Sequence, residues 1–262
     1  MRYLDAHCHI QFPQYDLDRD ALIERMREAE VGGLVVGVDY ESSRKAVQLA
    51  QAHEHLWAAI GLHPNDTGIE RFDIEAFETL AEDGKVVAIG ECGLDYFRPE
   101  DPAAAKQKQR EVFLQHIELA VRSGKPLMIH ARPSKGSMDS YEDALDMLED
   151  AKREHPELRG DFHFFVGDAK TAARIVALDF TISYTAVLTF AHDYDEVVRS
   201  LPLAHLISET DAPYVAPKER RGQRNDPFAV QDVVAAIAQI RGEDPEAVRE
   251  AVLENAKKLF RI

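Results

Sequence analysis

The sequence predicts an α/β protein: a TIM (β/α)8 barrel with an extra C-terminal helix, as one domain over residues 1–262. Three observations lead there. The chain has 262 residues and 45% apolar content, enough for one large core and close to the ~250 residues of such a barrel. Short apolar runs alternate with amphipathic segments, the pattern of βα units around a parallel sheet. Metal-capable polar side chains interrupt the C-terminal ends of these runs, the end at which barrels gather their sites. An open doubly wound sheet would share the local pattern. Eight runs with helices between them favour closure.

The first strand, 3–10, contains Leu4-Asp5-Ala6-His7-Cys8-His9-Ile10. Alternation in a strand puts His7 and His9 on one face, about 6.6 Å apart, and Ala6, Cys8 and Ile10 on the other. Two imidazoles so placed can converge on one ion. Further strands are predicted at 32–38, 56–63, 86–92, 126–131, 161–166, 180–185 and 205–210. Several are apolar nearly throughout, as strands buried on both faces are. Helices are predicted at 17–30, 42–54, 73–83, 102–123, 140–154, 168–178, 194–200, 228–241 and 245–259. Pro102 and Gly124 mark the two ends of the fourth helix. Trp57 opens an apolar run and reads as core, while the mixed charges of Glu24-Arg25-Met26-Arg27-Glu28 read as solvated surface. There is no internal repeat, low-complexity tract or linker.

Composition narrows the function classes. No run of 18 apolar residues occurs, which argues against a membrane span, and the N-terminus lacks the pattern of a secretory signal. Cys8 and Cys92 sit in apolar segments and make no disulfide framework. The expected location is the cytoplasm. A net charge of −16 argues against a broad nucleic-acid-coating surface. It leaves room for a nuclease, because bound cations and a few local basic residues can meet a phosphate.

The polar residues at strand ends are His7 and His9, His63, Glu91, His130, His163, and Glu209 with Asp211. A lone histidine ending a strand is usually a capped or core residue. A full set at the same end of successive strands favours a polynuclear metal site. Histidines and carboxylates without thiolates suit a hydrolytic divalent centre. Glu91 suits a bridge, since its two oxygens can hold two cations. Asp211, on the same face, suits a general base. Cys8 and Cys92 should point outward as packing residues. The loop Arg132-Pro133-Ser134-Lys135-Gly136-Ser137 and the run Arg220-Arg221-Gly222-Gln223-Arg224-Asn225 are the basic stretches near the centre.

The ordered set Ala6-His7-Cys8-His9, Gly61-Leu62-His63-Pro64, Gly90-Glu91-Cys92-Gly93-Leu94-Asp95-Tyr96, Ile129-His130-Ala131-Arg132 and Glu209-Thr210-Asp211-Ala212-Pro213-Tyr214 resembles the TatD family of metal-dependent deoxyribonucleases. Residues 221–227 and 254–260 match as well, so the resemblance covers the whole chain. It implies a hydrolase of the amidohydrolase-like group with a two-metal site. By position, His7, His9, Glu91 and Asp211 would hold one metal, and Glu91, His130 and His163 the other. The chain departs from the pattern at Gln11, where the family usually has an acid, and at Phe164-Phe165-Val166 after His163. The loop after His130 is also longer. These departures bear on substrate selection.

The expected activity is a phosphodiesterase using two divalent ions (Mg, Mn or Zn) to trim single-stranded or frayed 3′ ends of DNA. His63, Arg132, Lys135, Arg221 and Arg224 are expected to contact phosphates. The alternatives are a metal-dependent deacylase or C–N/ester hydrolase, for example on aminoacyl-tRNA, and a metal-binding interaction protein without catalysis. Oligomeric state is not encoded in any feature of the sequence.

Overall fold

The computed structural model describes residues 1–97 and 102–262. Eight parallel strands follow one another around a single sheet in chain order: β1 Tyr3–Cys8, β2 Val31–Val36, β3 Leu56–Ile60, β4 Val86–Asp95, β5 Leu127–Arg132, β6 Gly160–Phe162, β7 Thr181–Tyr184 and β8 Leu206–Ser208. Helices α1 Arg19–Glu28, α2 Tyr40–Ala52, α3 Ile74–Ala81, α4 Pro102–Ser123, α5 Asp139–Glu154, α6 Ala169–Ala177, α7 Asp195–Ser200 and α8 Val230–Arg241 follow the strands in turn, and α9 Pro245–Phe260 is the extra C-terminal helix. The ring closes between its first and last strands. Asp211 N–H donates to His7 O at 2.9 Å, and His9 N–H to Ala212 O at 2.7 Å. The TIM barrel expected from the strand pattern is the observed fold.

Two apolar layers hold it. Leu4, Ala6, Leu34, Val36, Ala59, Ala88, Met128 and Ile207 come from six strands and pack with Leu253, Ala256, Leu259 and Phe260 of α9. Helix α9 therefore plugs the barrel on the side of the strand N-termini and leaves the C-terminal end open. The larger layer, between strands and surrounding helices, includes Cys8, Ile10, Cys92 and Leu94. Both thiols are buried and free, and burial pushes their pKa values well above the ordinary thiol range. They are packing residues, as expected.

The alternation expected for the first strand holds for His7, Cys8 and His9 but not for Ala6. The β1–β2 register shifts between Asp5 and Cys8. The extra residue of that irregularity places Ala6 with Leu4 in the plugged layer, rather than with Cys8 and Ile10. Asp5 stabilises the kink: its carboxylate accepts His7 N–H at 3.3 Å, Thr210 N–H at 2.8 Å and the Thr210 hydroxyl at 2.6 Å. One buried carboxylate thus pins β1 to the segment that carries Glu209 and Asp211.

β6 and β8 are shorter than expected, three residues each. Phe164 turns the chain at φ 46° directly after His163, which ends β6 and puts His163 on the rim. Trp57 is partly buried against the plugged layer, under the Lys85 ammonium 5.4 Å from its ring.

A buried histidine ties α4 to the loop before His63. His116 Nδ1 donates to Val112 O at 2.9 Å, and its Nε2 accepts Leu62 N–H at 3.0 Å. Burial lowers its pKa to about 4. A histidine depressed in this way stabilises the fold above its unfolded pKa of about 6.5. That stability is lost as pH falls from there to about 4, with no further loss below. Urea unfolding of wild type and His116→Gln at pH 7.5 and 5 should show wild type losing on the order of 2 kcal/mol more than the variant over that interval. Equal losses would mean that His116 already titrates normally in the folded protein.

Candidate metal centre

Glu91 sits in the middle of β4 and is held there by its neighbours. A Cβ on Gly90 would lie 2.3 Å from Met128 O, and one on Gly93 2.1 Å from His130 O; their φ values are 149° and 130°. Only glycine fits either position, so β4 lies flush against β5 and the Glu91 carboxylate faces the open end of the barrel. Asp95, four residues on and on the same face, is anchored by α4: its N–H donates to Gln109 Oε1 at 2.9 Å and its carbonyl accepts Gln109 Nε2–H at 3.0 Å.

The two Glu91 oxygens face different groups. Oε1 lies 2.9 Å from His130 Nδ1, 2.9 Å from His163 Nε2 and 3.4 Å from His63 Nε2. Oε2 lies 3.4 Å from His7 Nε2 and 3.8 Å from His9 Nε2. Asp211 joins the second group, with Oδ1 3.4 Å from His9 Nε2 and 3.9 Å from His7 Nε2. Asp211 holds φ 53°, a left-handed conformation that Asp tolerates better than most residues and that recurs at functional sites.

A backbone carbonyl orients His9, and carboxylates face the outer nitrogens of the other three rings without hydrogen-bonding them. His9 Nδ1 donates to Val36 O at 2.7 Å, so its Nε2 carries a lone pair. His7 Nδ1 and His163 Nδ1 both face Glu209 Oε2, at 3.7 and 3.5 Å. His130 Nε2 faces Asp95 Oδ2 at 3.4 Å. The nitrogens that face inward lie in pairs: His7 Nε2 and His9 Nε2 at 3.1 Å, His130 Nδ1 and His163 Nε2 at 3.2 Å. Such separations match the spacing of about 3.3 Å for two nitrogens on one tetrahedral ion with bonds of about 2.0–2.1 Å. His7 Nδ1, His130 Nε2, His163 Nδ1 and Glu209 Oε2 are buried without a hydrogen-bond partner. The donor set fits divalent cations: groups His7–His9–Asp211, His7–Glu91–His163 and His63–Glu91–His130 each converge within 4.8 Å.

Electrostatics agree. Burial opposes ionisation of Glu91, but His163 and His63 outweigh it and hold the carboxyl well below its usual range. Burial likewise opposes charge on His163, yet Glu91 and Glu209 raise its pKa well above the ordinary value. Burial lowers the pKa of His7, with His163 adding to the effect. Asp95 overcomes burial through His130 and lies at about 2. A carboxylate-rich, buried site of this kind binds protons or cations in competition, so cation binding should release protons.

His63 differs from the other histidines. Its Nδ1 accepts Asn65 N–H at 3.2 Å, so the neutral ring carries its proton on Nε2. That N–H points at Glu91 and into the cavity, the arrangement of a donor rather than a ligand.

The groups form the floor of a cavity of about 640 Å³, whose lining also includes Phe12, Asp95, Arg132, Phe164 and Tyr214. Of the five residues expected to meet phosphate, the cavity receives His63 and Arg132. Arg132 lies over the Phe97 ring at 4.1 Å. Lys135 is exposed on the β5–α5 loop, outside the lining. Arg221 stacks on Phe190 at 4.1 Å. Arg224 is committed elsewhere: it pairs with Asp18 at 2.7 and 2.6 Å, donates to Gln14 O at 2.7 Å and covers Tyr15. Within this charge run, Arg224 thus fastens the β1–α1 loop. Conversely, Asp95, which the strand-end set left out, faces His130, and Glu209, which that set included without a role, faces His7 and His163. The spacing of Asp95 from Glu91 by an even number of residues was the available signal.

The model of the TatD-related DNase family matches residues 4–261 of the chain. The chain is 36% identical over 262 residues to an uncharacterized metal-dependent hydrolase, YabD, of Bacillus subtilis, covering 98% of both chains. It is 34% identical over 268 residues to the uncharacterized metal-dependent hydrolase TatD of Mycobacterium tuberculosis, covering 98% of this chain and 97% of that protein. The crystal structure of YjjV, a TatD homologue from Escherichia coli, superposes with a TM-score of 0.89 at 29% identity, over 100% of this chain and 98% of that one. With the histidine and carboxylate groups that converge at the open end of the barrel, these likenesses place the chain in the TatD-related DNase family, as a metal-dependent hydrolase.

Proposed function

We propose that the protein is a two-metal phosphodiesterase that removes nucleotides from single-stranded or frayed 3′ ends of DNA. The observation that carries this reading is the Glu91 carboxylate, whose separate oxygens face His7–His9 and His130–His163. In this reading His7, His9, Glu91 and Asp211 hold one cation, and Glu91, His130 and His163 the other. Bound there, the two cations would lower the pKa of a water and stabilise the charge that develops on the phosphoryl group and leaving oxygen.

The chain's own residues supply the rest. His63 Nε2–H donates to a non-bridging phosphate oxygen, and the Arg132 guanidinium meets the phosphate at the rim. Asp211 faces the histidines through Oδ1; its second oxygen accepts the proton of the attacking water. Glu209 Oε2 faces the outer nitrogen of one histidine from each group, His7 Nδ1 at 3.7 Å and His163 Nδ1 at 3.5 Å. Glu209→Gln should therefore weaken metal binding at both sites by about 10–100-fold, read by competition with a chromophoric chelator. Weakening at one site alone would contradict the shared role.

Hydrolysis of single-stranded DNA, a phosphomonoester and an aminoacyl-tRNA, compared with and without Mg²⁺ or Mn²⁺, tests the reading. Metal-dependent cleavage of the DNA is expected, and preferential release of the amino acid would replace it with a deacylase. Because Arg132 is the one Arg or Lys among the described cavity residues, few phosphates are neutralised. Binding of a short single strand should weaken with salt with a slope of only 1–3 released ions, at about 0.7 per contacted phosphate. A steep slope with efficient nicking of circular DNA would indicate a long basic groove instead.

A further inference from the structure

The cavity is acidic at its floor, carries one cation at its rim and has aromatic walls. Phe12 stacks on the His9 ring at 4.6 Å with planes 11° apart. Tyr214 meets the same imidazole edge-on at 6.4 Å. It follows Asp211 in a tight turn, with Tyr214 N–H donating to Asp211 O at 2.9 Å. Tyr214 remains 49% exposed, one of the few large apolar side chains left so open among the described residues. Among the described residues its ring has no stacked partner, while Phe12 is already covered by His9.

Resting on the phosphodiesterase reading, we infer that Tyr214 is the stacking platform for the nucleobase next to the scissile phosphate. The grip on a single strand then comes from this ring more than from charge. The shortage of cationic side chains around the metal centre leaves room for such a term. A cavity whose described lining has one Arg and no Lys, in a chain of net charge −16, gains little from counterion release, whereas aromatic stacking of an unpaired base is sequence-tolerant and substantial. Stacking also explains the fit to ends. A base must leave its duplex neighbours to lie on Tyr214, which a frayed 3′ end permits and a paired interior base resists.

The test uses the full chain loaded with Mn²⁺ and two short single strands, one normal and one ending in an abasic tetrahydrofuran residue. Wild type should favour the base-bearing end by about 5- to 150-fold in kcat/KM. The ratio should fall toward 1 in Tyr214→Leu and be kept in Tyr214→Trp. A 3′-terminal 2-aminopurine should lose fluorescence on binding wild type and much less on binding Tyr214→Leu. Cleavage with an unchanged ratio in Tyr214→Leu would overturn the inference alone. If wild type neither cleaves nor quenches either strand, the phosphodiesterase reading falls and takes this inference with it.

Discussion

Glu91→Ala is expected to lose hydrolysis by on the order of 10³-fold or more while the barrel stays folded. The loss has two sources. The substitution deletes the carboxylate whose inner-facing oxygens meet both histidine pairs separately, Oε2 at 3.4 Å from His7 and Oε1 at 2.9 Å from His130 and from His163. It also leaves two cations without the intervening negative charge, and their repulsion in a buried site should expel one of them. The fold should survive because Gly90 and Gly93, rather than the Glu91 side chain, set the close approach of β4 to β5. Circular dichroism, metal content and kcat on one preparation check this. A folded, active Glu91→Ala enzyme would end the bridging assignment.

Asp211→Asn separates binding from proton transfer. Asn keeps the shape and one oxygen, so Oδ1 can remain near His7 and His9, but the second atom becomes an amide that accepts no proton. Loss of a positioned general base lowers kcat by about 10²–10⁴-fold. The result expected is that loss with metal content close to wild type. Near-normal kcat with normal metal content would assign the base to another group, and Asp95 on the same cavity wall would be the next to substitute. Asn also tolerates the left-handed conformation at this position, so a folding defect should not cloud the comparison.

Much of this site could be read from the chain because its chemistry follows barrel geometry. Inward-facing residues of β4 and those toward the C-terminal ends of β1, β5 and β6 converge at the open end of the barrel whatever their distance in sequence, so His7, His9, Glu91, His130 and His163 were legible as a set. What stayed hidden depended on local backbone departures and on competition between partners. The register shift at Asp5–Cys8 moved Ala6 to the other layer, and no hydrophobic pattern marks it, since alanine suits either side. Arg224 carries the same charge whether it meets a phosphate or Asp18, and only folding brings Asp18 within 2.6 Å. Glu209 reads as one more strand-end acid. Its place between His7 and His163 needs the closure of β8 against β1.

The account stands on two cations sharing Glu91, and anomalous scattering from crystals grown with millimolar Mn²⁺ tests that most directly. It should show two peaks, one beside His7, His9 and Asp211 and one beside His130 and His163, with the Glu91 carboxylate between them. A single peak at saturating metal, with the second histidine group held only by protons, would contradict it.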